Sequence, residues 1–416
     1  MPFRAVRSGL RATIARIDST YLLFFLSFGL FIWLVYFYFI VLVVCNNEQG
    51  TDIIAHATVA RSLIEDHVWQ GHFLYFLAVA ILANFDPDLN RLQGAALIII
   101  SLSVVLKFAA TRKVAFGLLS LDEGRREDQD HLTSNVVILA VFSLVFAFAL
   151  PPIREWLLQF GILKSRDWFL YLGNTPPNVW HNSTIIFLMP FAIWLFWNSY
   201  LFLEAGESRR LRSVIPLVVV NILAKPSFFL AFAVAFPAMA LVRFGLTRRL
   251  AQSAGVVLVG GIVLTAQFIL VYVFPQGIEQ QSGIAFGFLQ VWRHYASSIP
   301  VSLLLSFAFP LTFTLSYYRE IKHKLLFHYC LACLATALLI AASLIEEGDR
   351  AYDGNFFWQV IVCNYLLFAV CLVEFLGVSF RKAARGIKWH LNAAVYCLHL
   401  IGGVVYLQKF MSLNYH

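Results

Sequence analysis

The sequence predicts an all-α polytopic membrane protein with about eleven transmembrane helices and interfacial helices in its first outer loop. Hydrophobic residues make up 60% of the 416 and charged residues only 13%, where soluble domains sit near about 45–50% and 25%. Mean hydropathy is +0.76. Residues 21–44 are almost entirely Leu, Phe, Ile, Val and Tyr, a run long enough to cross about 30 Å of hydrocarbon as a helix.

The remaining spans are expected at 93–111, 134–152, 183–203, 213–223, 226–243, 252–274, 298–318, 325–345, 357–379 and 390–408. The pair flanking Lys225-Pro226 is too short to cross in full, and reads as a broken or re-entrant unit. No soluble domain fits between the spans, so residues 1–416 form a single transmembrane domain. Arg4, Arg7, Arg11 and Arg16 precede the first span with no small-residue cleavage site behind it, which reads as an uncleaved anchor.

Orientation follows from the basic residues. With residues 1–20 in the cytoplasm, the clusters at 4–16, 107–113, 125–126, 209–212, 243–249, 319–324 and 381–388 hold 22 of the 31 Lys and Arg on that side. The asymmetry requires that residues 72–85, about 14 in all and too few for a span, lie along the outer interface. The outer loops are then 46–92, 153–182, 275–297 and 346–356. The net charge of +8 is spread through short loops, which excludes a nucleic-acid face. Cys330 and Cys333 have CxxC spacing without a second pair and read as small core residues. Residues 123–131 are a mixed-charge solvated loop, and no internal repeat of the inverted transporter kind is present.

The outer segments collect the unusual side chains. Asp52 follows the first span, with the helix 53–64 behind it. Next come His72-Phe73-Leu74-Tyr75-Phe76-Leu77 and then Arg91-Leu92-Gln93-Gly94, opening the second span. Ala224-Lys225-Pro226-Ser227 breaks the chain midway. This order of parts resembles the GT-C glycosyltransferases, such as the protein O-mannosyltransferases and the aminoarabinose transferase of lipid A, although the usual prolines are missing from the interfacial helix. The resemblance covers most of the first 245 residues in pattern. Asn178-Val179-Trp180-His181-Asn182-Ser183-Thr184 and the stretch from Glu347 to Phe356 resemble a bacterial polysaccharide-assembly branch of that family.

The resemblance implies a membrane glycosyltransferase that takes a sugar from a polyprenyl-phosphate donor and hands it to a cell-envelope glycan or lipid acceptor. The expected setting is a bacterial inner membrane, with the active site on the extracytoplasmic face. Such a reaction needs one carboxylate to accept the acceptor's proton, and cations rather than an acid for the phosphate leaving group. Asp52 is the expected base, or else a helix cap, and Glu48 is its competitor. His56, four residues on, shares a helix face with Asp52; it orients that carboxylate, touches phosphate or packs at the interface. Asp52, His56 and His72 together leave a divalent metal open, with no other cofactor expected.

Lys225 suits the lipid phosphate, or snorkels. His181 and Asn182 suit a sugar or phosphate, with Asn182 also a candidate cap. Arg293 and His294 suit phosphate or lipid headgroups. Arg350 suits a bidentate phosphate contact, unless Glu347, Asp349 and Asp353 hold it in a local network. Asn355 and Trp358 suit a sugar, as does Trp180, although aromatics at this level commonly belong to the interfacial belt. Three other readings remain open, the plainest being an envelope scaffold or accessory subunit. A polysaccharide polymerase or ligase would carry one large, Arg-rich outer loop. A lipid-linked-sugar flippase would place charges midway along several spans, where only Lys225 and Glu374 stand out.

Overall fold

The computed structural model describes residues 19–45, 52–69, 72–121, 130–150, 157, 160–161, 172–270, 283–381 and 386–412. Among the described residues fourteen α-helices run in the order α1 Ser19–Cys45, α2 Asp52–Glu65, α3 Leu74–Leu82, α4 Leu89–Leu121, α5 Asp130–Leu144, α6 Ser183–Ala205, α7 Leu211–Ala224, α8 Ser227–Phe244, α9 Arg248–Phe268, α10 Gln290–Tyr295, α11 Ile299–Ile321, α12 Leu325–Ser343, α13 Trp358–Arg381 and α14 Ile387–Met411. A short antiparallel ribbon joins β1 Ile284–Phe286 to β2 Leu344–Glu346.

Among the described residues, nine helices are long and apolar enough to cross a membrane: α1, α4, α6, α8, α9, α11, α12, α13 and α14. This is an all-α multi-pass membrane protein. α8, expected with α7 to be too short to cross in full, is long enough at 18 residues, whereas two of the eleven expected spans are shorter. α7 has 14 residues, or about 21 Å, because Lys225 and Pro226 interrupt it. α5 has 15 residues and stops at Leu144, although the apolar run continues. There the chain turns extended: Phe148 N donates to His399 O at 3.0 Å and Leu150 N to Leu305 O at 3.2 Å.

A second irregular stretch, 172–182, is also buried. Asn364 Nδ2 donates to Thr175 O at 2.8 Å, and the Ser302 and Ser306 hydroxyls cap the carbonyls of Gly173 and Asn174. Non-helical backbone among spans is tolerated only where protein satisfies its polar groups, and these contacts do so. α14 comes so close that a Cβ at Gly403 would run into the Phe146 carbonyl oxygen, so only glycine fits there.

α13 is the central helix, with its apolar window wholly buried, while α1, α9 and α14 leave most of theirs uncovered. Apolar residues on those three, such as Leu30, Leu258 and Val404, are 59–66% exposed, as a lipid-facing surface requires. α2 and α3 are short. At nine residues α3 is about 13 Å long, too short to cross, and both helices pack on α4. Cys330 and Cys333 are fully buried in α12 and free. Lys107, read from sequence as part of a basic cytoplasmic cluster, lies instead inside α4 and is 6% exposed, because the 172–182 stretch covers it.

Candidate functional site

The polar residues gather where four helices begin. α2 starts at Asp52, α6 at Ser183, α8 at Ser227 and α13 at Trp358. Helix starts carry unpaired N–H groups and the positive end of the helix dipole. Asp52 is the acid in the first turn of α2, a placement the dipole favours. Its Oδ2 accepts from Asn182 Nδ2 at 2.8 Å. Asn182 is also the cap of α6: its Oδ1 accepts from Ile185 N at 3.0 Å and from the Thr184 hydroxyl at 2.9 Å. The cap expected of Asn182 is therefore present, and the other end of the same amide holds Asp52.

His56 lies one turn after Asp52. Its Nδ1 is 2.5 Å from Ser183 Oγ, and its ring meets those of Tyr75 and Phe76. Burial holds its pKa down to about 4, with the Asp52 carboxylate opposing that shift and Lys225 adding to it. His72 is held down to about 3 by burial, then by Lys225, His56 and Arg350. Both imidazoles are neutral at neutral pH.

Lys225 ends α7, with its backbone N–H bonded to Asn221 O. Its ammonium donates to Thr184 Oγ1 at 3.0 Å and lies 5.0 Å from the centre of the Trp358 ring. It interacts electrostatically with Asp52, Arg350 and Glu346. A cation thus stands among the starts of α6, α8 and α13, within reach of the Asp52 and Glu346 carboxylates and of Arg350, which is an environment suited to a phosphate.

Arg350 belongs to a neighbouring network. Its Nε is 3.4 Å from Glu346 Oε2 and 3.4 Å from Asp353 Oδ2. Asn355 Nδ2 donates to the same Glu346 Oε2 at 2.6 Å. Glu346 is 7% exposed, so Arg350 supplies the countercharge to a buried carboxylate and Asn355 a hydrogen bond. Of the acids expected around Arg350, Asp353 takes part. Glu346, the first residue of the outer loop 346–356, was given no role from sequence although it is the central member, and the only signal for it is its place in an acidic run.

His181 is 3% exposed. Its Nδ1 is 2.8 Å from the Tyr406 hydroxyl, which also accepts from Trp180 N at 3.2 Å. Its ring lies 6.1 Å from that of Trp358. Trp180 is buried against Tyr36 and Phe146 and belongs to the core rather than to a sugar surface. Nothing in the sequence singled out Tyr406.

Arg293 and His294 stand apart. Both are exposed on α10, and His294 stacks on Tyr352 at 4.3 Å. Neither makes a hydrogen bond or ion pair with Asp52, Lys225 or Arg350 among the described residues. Glu48 lies outside the described residues. Among the described residues no group of three or more His, Cys, Asp and Glu is placed to hold a metal ion, so Asp52, His56 and His72 do not form one.

Comparison of the chain with protein-family models, curated proteins and solved structures found no match in any of the three.

Proposed function

We propose that this protein is a membrane glycosyltransferase of the GT-C type. It moves a sugar from a polyprenyl phosphate to a cell-envelope glycan or lipid on the outer face of a bacterial inner membrane, with its N-terminus cytoplasmic. The observation that carries this reading is the Lys225 ammonium, 3.0 Å from Thr184 Oγ1, standing among helix starts within electrostatic reach of Asp52.

In this mechanism the acceptor hydroxyl attacks the anomeric carbon as the bond from that carbon to the phosphate oxygen breaks. The electron pair leaves with the prenyl phosphate, and the hydroxyl proton passes to the Asp52 carboxylate. One base suffices for such an inverting displacement. Lys225 and the N–H groups opening α6, α8 and α13 stabilise the charge that grows on the phosphate. Asn182 positions Asp52, and the neutral imidazoles of His56 and His72 serve as hydrogen-bonding groups rather than cations. Arg350, already bound to Glu346 and Asp353, shapes the wall of the site.

The test is sugar transfer in proteoliposomes from synthetic prenyl-phosphate sugars, with Asp52→Asn alongside. A glycosidic product that disappears in the variant supports the reading. Movement of the donor across the bilayer without product supports a flippase instead, a function to which the buried Lys107 in α4 lends some substance. Transfer of whole lipid-linked chains supports a polymerase or ligase.

A further inference from the structure

Away from Asp52, α4 buries a second lysine. The Lys107 ammonium donates to Asn178 Oδ1 and stands 4.0 Å from the centre of the Tyr365 ring. Asn178 is 2% exposed, and its Nδ2 donates to Leu144 O at 2.9 Å and Ala147 O at 2.7 Å. The amide thus passes the negative end of the α5 dipole on to the ammonium. No carboxylate acts on Lys107 among the described residues. An ammonium withdrawn from water and faced only by an amide oxygen and an aromatic ring is poorly compensated.

A small cavity adjoins it, about 20 Å³ in volume, lined by Lys107, Asn178, Tyr36 and Trp180 with Val104 and Ile361 among the apolar remainder. It has room for one water or one ion of similar size. No acidic side chain lines it. The lysine has three protons and Asn178 takes one of them. The Tyr36 side chain is fully buried and its hydroxyl makes no hydrogen bond. Of the side-chain acceptors here, Asn178 Oδ1 is taken and the Tyr36 hydroxyl oxygen is neutral, so no side chain lining the cavity supplies a negative charge.

We propose that this cavity binds one small monovalent anion of halide size, held by the Lys107 ammonium. The ion supplies the countercharge that the side chains lack. It also ties α4 to the buried 172–182 stretch. Asn178 is four residues before Asn182, so an ion that secures the first steadies the cap of α6 and the partner of Asp52.

The experiment uses the purified full chain in detergent and does not depend on any enzymatic reading. Replacing chloride by gluconate at equal ionic strength is expected to lower the unfolding midpoint by about 3 °C or more. Lys107→Met is expected to remove that dependence. Crystals soaked in bromide are expected to show anomalous density beside Lys107. Bromide density elsewhere only, or equal midpoints in the two salts, would overturn the proposal and leave a water in the cavity. If Lys107→Met fails to fold, the wild-type midpoints and the bromide density decide the matter alone.

Discussion

Asn182 holds Asp52 with one end of its amide, Nδ2 to Oδ2 at 2.8 Å, and the first turn of α6 with the other. The candidate base is thereby tied to a membrane span 130 residues away in sequence. Asn182→Ala should lower stability by about 1–2 kcal/mol through loss of the cap and should also release the carboxylate. Asn182→Asp keeps an oxygen for the cap but removes the amide donor to Asp52, so transfer should fall by more than stability does, checked by turnover beside the unfolding midpoint.

Asp52→Asn should keep the fold, because an amide oxygen can still accept from Asn182 Nδ2. Transfer should fall by at least about 100-fold. A variant that retains more than a tenth of wild-type turnover would move the base elsewhere, with Glu48 the first to test.

Lys225→Met should weaken the donor interaction and Lys225→Arg should restore part of it, since the charge and not the amine is needed. The Met variant should lose transfer by about 10- to 100-fold. Binding of a prenyl phosphate lacking sugar should fall in parallel. Unchanged binding would confine Lys225 to its contacts with Thr184 and Trp358.

His56 gives stability a pH dependence of defined sign. Its folded-state value near 4 lies below the ordinary value near about 6.5. As pH falls through that window the unfolded chain takes up the proton first. Stability should be full above about pH 6.5 and decline toward pH 4, by at most about 3 kcal/mol. His56→Gln should reduce the slope in a denaturation series from pH 7 to pH 4.5, with His72 supplying a further part of the same sign.

Arg350→Ala should destabilise by about 1–3 kcal/mol because it leaves Glu346 buried without its cation. Adding Glu346→Gln should recover much of that loss in a double-mutant cycle. Full recovery of stability with transfer still lost would give Arg350 a substrate contact beyond the network.

Much of the fold was legible because a bilayer imposes a length and a polarity on each span. Nine of the expected runs are long apolar helices, Lys225-Pro226 breaks the chain where the sequence said it would, and residues 74–82 form a helix too short to cross. Two expectations failed on tertiary grounds. The run at 134–152 is apolar throughout, yet it leaves the helix after Leu144 because the backbones of α11 and α14 offer it partners at Leu305 and His399. Lys107 looked like part of a cytoplasmic cluster, yet the 172–182 stretch folds over it.

The candidate site was legible as residue types at helix starts and only partly as an arrangement. Asp52, Asn182 and Lys225 were singled out individually, since a charge or amide at the edge of an apolar run has few ordinary uses. Their meeting, the His56–Ser183 contact across 127 positions, the buried Glu346 and the Tyr406 hydroxyl behind His181 depend on how helices pack. Hydropathy acts within a dozen or so residues and determines which segments enter the membrane. Side-chain packing between segments more than a hundred positions apart decides which polar groups share an enclosed space, and no local pattern records that choice.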